Sequence, residues 1–116
     1  MVNFTLGYNL EFLKSTDVGL VRSLNEDHAD FDKDHYVFAL ADGMGGHQAG
    51  EIASAMAIDL SMNALKDYVS TLENKVTPKE INNVLVKIVE DTNKKIYEAG
   101  LRNTGHKGMG TTIVIG

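Results

Sequence analysis

The chain has 116 residues, a size that suits one domain with its own core. At 43% hydrophobic and 23% charged residues it has the composition of a globular protein rather than a disordered one. A formal net charge of -5, from 16 acidic and 11 basic residues, argues against nucleic acid as a partner, and the absence of cysteine excludes disulfides, thiolate zinc sites and cysteine nucleophiles. No apolar run approaches the ~20 residues of a membrane span, and Met1 to Lys14 lacks the basic and apolar regions of a signal peptide. A soluble, cytoplasmic protein is expected.

In chain order, Leu6 to Thr16 is a weak strand candidate, and Asp17 to Lys33 reads as a polar acidic loop. From Asp17 to Asp42 there are seven acidic residues (Asp17, Glu26, Asp27, Asp30, Asp32, Asp34, Asp42) against Arg22 and Lys33. Such a run is either a solvated loop or a cluster of hard oxygen ligands. His35 to Ala41 is an apolar run of strand length that stops at the turn signal Asp42-Gly43. It predicts a buried strand with a carboxylate at its end.

The Gly-rich turn Gly43-Met44-Gly45-Gly46 leads into a helix predicted from His47 to Tyr68, with Ile52, Met56, Leu60, Ala64 and Tyr68 on its apolar face. A second helix is predicted from Thr77, with Thr77 as N-cap, Pro78 in the first position and Glu80 closing a capping box. Its expected face is Ile81, Leu85, Ile88, Thr92 and Ile96, with Gly100 as its stop. Thr111 to Ile115 is β-branched with little polar alternation, which predicts a strand covered on both faces. Such a strand needs neighbours on both sides, so further sequence after Gly116 is expected.

The loop after Asp42 fails as a direct phosphate cradle. The third glycine of a dinucleotide fingerprint would fall at Gln48, no Gly-Lys-Ser/Thr follows, and the loop opens on a carboxylate with no basic residue. A carboxylate beside phosphate needs a cation between them. Mg²⁺ or Mn²⁺ takes carboxylates, backbone carbonyls and water, so Asp42, the Gly43 carbonyl and Glu26-Asp27 are candidate oxygen donors. Arg22 can fork onto two phosphate oxygens. Taken singly, Asp-Gly is most often only a turn, Arg22 a surface charge and Glu26-Asp27 solvated loop.

Together, three blocks closely resemble bacterial 2C-type protein phosphatases. They are Arg22-Ser23-Leu24-Asn25-Glu26-Asp27, Phe38 through Glu51 with Ala41-Asp42-Gly43-Met44-Gly45-Gly46-His47 at its centre, and Gly108-Met109-Gly110-Thr111-Thr112. The resemblance implies an α+β fold, part of a four-layer sandwich in which a central antiparallel β-sandwich is flanked by helices. Residues 1–116 would be the N-terminal part of a single catalytic domain. It implies hydrolysis of phosphoserine and phosphothreonine in proteins by two Mn²⁺ or Mg²⁺ ions, with a metal-bound water as nucleophile. On that resemblance Asp42 matches the aspartate bridging both metals, Gly43 the glycine whose carbonyl binds one, and Glu26 an acidic position contacting the same metal. Asp27 matches the aspartate supporting the metal shell, and Arg22 the arginine that holds the substrate phosphate.

Met44 stands where animal members have a histidine proposed as general acid, so no general acid is assigned. His47 is given a helix-start or supporting role, while His28, His35 and His106 are given no catalytic role and Gly108 to Thr112 a structural one. The family's later aspartates, which complete the metal site, are not in these residues, so poor metal affinity and weak activity are expected of the isolated chain. Partners implied are phosphorylated proteins, a Ser/Thr kinase acting on the same targets, and self-association through exposed sheet edges. The competing readings are a non-catalytic phosphatase-like binding module and a nucleotide-binding α/β domain.

Overall fold

The computed structural model describes residues 27–45, 47–72, 75–102 and 108–116. The strand expected over Leu6 to Thr16, together with Arg22, Glu26 and His106, lies outside them. The elements are β1 (Asp27–Asp32), β2 (Val37–Met44), α1 (His47–Ser70), α2 (Pro78–Arg102) and β3 (Gly110–Ile115). The strands form one antiparallel sheet in the order β1-β2-β3. The architecture is α+β, as expected: the described residues make one sheet and one helical flank of the four-layer arrangement.

Part of the acidic stretch is a strand rather than a loop. β1 pairs with β2 from Asp27↔Asp42 to Asp32↔Val37, so ladder pairing overrides the low β-propensity of its aspartates. The connecting turn is tied by the Asp32 carboxylate, which accepts from the backbone N–H of Asp34 at 2.9 Å and of His35 at 3.1 Å. These bonds hold the chain where Tyr36 takes a left-handed φ of 58°.

β2 alternates rather than being buried throughout. Val37, Ala39, Ala41 and Gly43 are buried, whereas Leu40, Asp42 and Met44 are exposed. It also runs past the expected turn, because Asp42, Gly43 and Met44 pair with Thr112, Thr111 and Gly110 of β3. The turn moves to Gly45, where φ is 136° and an added Cβ would come 3.0 Å from the Met109 Cα. Only glycine fits both conditions.

α1 packs mainly on β2, and its buried stripe is Ala49, Ala53, Ala57, Ser61 and Leu65. The expected stripe lies one residue earlier at each step, about 100° round the helix, and Ile52, Met56, Leu60, Ala64 and Tyr68 are only half-buried. Small side chains face the sheet because they let the helix backbone come close to it. The larger ones fill the margins. Ser61, fully buried, donates its hydroxyl to the Ala57 carbonyl.

α2 starts as predicted. The Thr77 N–H donates to Glu80 Oε2 at 2.8 Å, and the Glu80 N–H donates to Thr77 Oγ1 at 3.2 Å. Its buried residues are Ile88, Thr92, Ile96 and Gly100, with Leu85 half-buried and Ile81 exposed. Gly100 does not stop the helix, which continues to Arg102 with the glycine on its packed face.

β3 alternates too. Thr112 and Val114 are exposed, so among the described residues it is not covered on both faces. The sheet surface away from α1 therefore shows apolar side chains, with Leu40 49%, Met44 54% and Val114 56% exposed.

Candidate active site

Asp27, the one described residue of the first block, lies at the same end of the sheet as the two Gly-rich blocks. β1 begins there at Asp27, β2 ends there at Met44, and β3 begins there at Gly110. The two Gly-rich blocks touch: a Cβ at Gly45 would meet Met109, and one at Gly110 would lie 3.6 Å from Met44 Cγ.

Across this end run Asp27, Asp42 and Thr112, directly opposite one another on adjacent strands. Directly opposed residues of an antiparallel pair share a face, and all three are exposed. That face is the one turned away from α1, since the alternate residues Ala41 and Gly43 are buried. Thr112 fastens the Asp42 backbone: its hydroxyl accepts from the Asp42 N–H at 3.3 Å and lies 3.5 Å from the Asp42 carbonyl. Gly43, buried, follows in the ladder opposite Thr111.

Opposed like charges destabilise a strand pair, and among the described residues the Asp42 carboxylate has neither a hydrogen-bond nor an ion-pair partner. A hard divalent cation is the kind of ligand that relieves such a juxtaposition, and the donors are all oxygen. The donor set therefore fits a hard divalent cation in kind. It is a partial shell: among the described residues no group of three or more His, Asp or Glu side chains could hold a metal ion. Arg22 and Glu26 are outside the described residues, and only sequence adjacency places Glu26 beside Asp27.

Two features escaped sequence reasoning. The Thr112 hydroxyl bonds were hidden in a run that reads as plain strand. His28 faces α1 from β1, with Nδ1 2.7 Å from the hydroxyl of the fully buried Ser54. Only recognising β1 as a strand would have shown which way His28 points.

A second polar cluster sits at the other end of β1, about 17 Å from Asp27 at the strand rise. His35 Nδ1 lies 3.1 Å from Asp32 Oδ1, and its Nε2 lies 3.3 Å from Ser70 Oγ at the end of α1. The His35 side chain first, then the backbone N–H groups of His35 and Asp34, hold the Asp32 carboxyl below its usual range. The cluster braces the turn. The Ser70 hydroxyl donates to the Lys66 carbonyl at 2.8 Å, and Ser70 stands at a helix C-terminus, where the dipole disfavours developing negative charge. A cleft of about 320 Å³ between the helices and β3 is lined by Val89, Ile96, Met109 and Ile113 among others, and includes none of Asp27, Asp42 or Thr112. No described helix is long and apolar enough to cross a membrane.

Known proteins resemble this chain in sequence and in fold. The family described as Protein phosphatase 2C matches residues 21–115. A serine/threonine phosphatase of Listeria monocytogenes is 39% identical over 102 residues, covering 85% of this chain and 39% of the relative. A protein phosphatase of Streptococcus pneumoniae is 35% identical over 114 residues, covering 91% of this chain and 42% of the relative. Among solved structures, the serine/threonine phosphatase of S. agalactiae superposes with a TM-score of 0.68 at 38% identity, covering 87% of this chain and 40% of that one. The Staphylococcus aureus enzyme gives 0.68 at 36% identity, with 87% and 39% covered. The chain thus spans about two fifths of the length of the relatives it matches. With that family matched over most of its length, the chain belongs to the protein phosphatase 2C family.

Proposed function

We propose that this chain carries the N-terminal share of a metal-dependent active site that hydrolyses phosphoserine and phosphothreonine in proteins. The observation that supports the reading is the direct opposition of Asp27 and Asp42 at the sheet end where the two Gly-rich blocks touch. Asp42 would hold Mn²⁺ or Mg²⁺ through its carboxylate, Gly43 through its carbonyl and Glu26 through its carboxylate, with Asp27 supporting the shell. Bound ions of this kind supply Lewis acidity, lowering the pKa of a water and offsetting charge on phosphoryl oxygens. Thr112 fixes the backbone that presents Asp42, and the ladder on either side limits how far that carboxylate can move. Arg22 would bind the substrate phosphate through paired N–H groups. Residues 1–116 form part of one catalytic domain in this reading, and its partners are phosphorylated proteins, among them targets shared with a Ser/Thr kinase.

The test is hydrolysis of a phosphothreonine peptide by the chain with Mn²⁺, beside EDTA and Asp42→Asn. Mn²⁺-dependent release of phosphate that both controls abolish supports the site, and release that survives Asp42→Asn sinks it. A second reading, a phosphatase-like module that binds phosphoproteins without hydrolysing them, is favoured by one observation, the partial donor set among the described residues. Peptide binding without turnover at saturating Mn²⁺ would select it.

A further inference from the structure

His28 follows Asp27 on β1 and points the opposite way, toward α1. Its partner, the Ser54 hydroxyl, also lies 3.1 Å from the Glu51 carbonyl. The 2.7 Å contact is a hydrogen bond in which either His28 Nδ1 or the hydroxyl donates, according to the imidazole tautomer. Ser54 is completely buried and lies in the early part of α1, shortly after the Gly-rich turn that leaves the Asp42 end of β2.

β1 is an edge of the described sheet, and its connection to β2 is at the Asp32 end. The Asp27 end is therefore the one farthest from the turn, and it is also where two carboxylates oppose each other. We propose that His28 is a positioning residue: its hydrogen bond to Ser54 ties the Asp27 end of β1 to α1 and so helps to hold the Asp27 carboxylate opposite Asp42. The claim rests on the assignment of Asp27 and Asp42 to the metal centre. It gives His28 no contact with metal or substrate, and it explains why a polar pair sits on the sheet face that otherwise packs against α1 through small apolar side chains.

Three variants of the chain test it. His28→Phe keeps ring volume without a hydrogen-bonding nitrogen, His28→Asn restores a polar group near the position of Nδ1, and Ser54→Ala removes its partner. Backbone amide exchange in EDTA reads the strand end without metal. His28→Phe and Ser54→Ala should speed exchange at the Asp27–Asp42 end about tenfold relative to the Asp32–Val37 end, and His28→Asn should recover most of the protection. Exchange that is unchanged, or faster to the same degree at both ends, overturns the proposal. Mn²⁺ affinity, read from the electron paramagnetic resonance of free Mn²⁺, should fall about tenfold in the first two variants and recover in His28→Asn. Equal affinity in all four proteins also overturns it. A parent chain that binds no Mn²⁺ sinks the metal assignment itself, and the exchange arm then decides whether His28 pins β1.

Discussion

Replacing Asp42 with Asn should stabilise the metal-free chain, although most substitutions destabilise. Asp42 faces Asp27 directly across the ladder on an exposed surface. Side chains so placed have Cβ atoms about 5 Å apart. Two carboxylates about 6 Å apart in a water-like dielectric repel by about 0.7 kcal/mol. At physiological ionic strength, with a screening length of about 8 Å, roughly half of that survives. Asn keeps the size and removes the charge, and Asp42 loses no side-chain partner among the described residues. Urea unfolding in EDTA at pH 7 is the assay. For a slope of about 1.5 kcal/mol per molar, the midpoint should rise by about 0.4 M at low salt, with most of the gain gone in 0.5 M NaCl. A midpoint that falls, or a gain that salt leaves untouched, would refute the idea that these two carboxylates repel each other in the absence of metal.

Three further outcomes follow from the same packing. Gly45→Ala should cost about 1–3 kcal/mol in unfolding free energy, because the residue needs a positive φ and its new methyl would press on the Met109 backbone; a loss under a few tenths would show that the turn relaxes freely. Thr77→Ala should cost about 1 kcal/mol by removing one half of the reciprocal cap with Glu80, and Thr77→Ser should restore most of it in thermal melts. The lowered Asp32 pKa means that its contribution to stability is complete above the ordinary carboxylate range and is lost as pH falls through the folded-state value. Thermal melts from pH 7 to pH 3 should show less acid destabilisation in Asp32→Asn than in the parent chain, and parallel pH profiles would remove Asp32 from the account.

Much of the fold was legible because local chemistry and tertiary structure agree there. Thr77, Pro78 and Glu80 announce α2 by hydrogen bonds that involve only neighbouring residues. The features that were misread all depend on partners distant in sequence. Asp42-Gly43 resembles a turn until Thr111 and Thr112 of β3 supply its ladder. Asp27 to Asp32 resembles solvated loop until β2 pairs with it. The buried stripe of α1 was displaced by one residue because hydrophobic bulk draws attention to Ile52 and Met56, whereas close approach to the sheet selects Ala53 and Ala57. The site was legible as chemistry, in the carboxylates and glycines of three blocks, but not as geometry. Nothing in the order of residues says that Asp27 and Asp42 stand opposite each other, because strand register is a property of the folded pair.

The most direct measurement is a calorimetric titration of the chain with Mn²⁺, run beside Asp42→Asn. A weak binding heat, as a partial donor set allows, is expected in the parent chain and should disappear in the variant. Equal heats in both proteins would contradict a metal site built on Asp42.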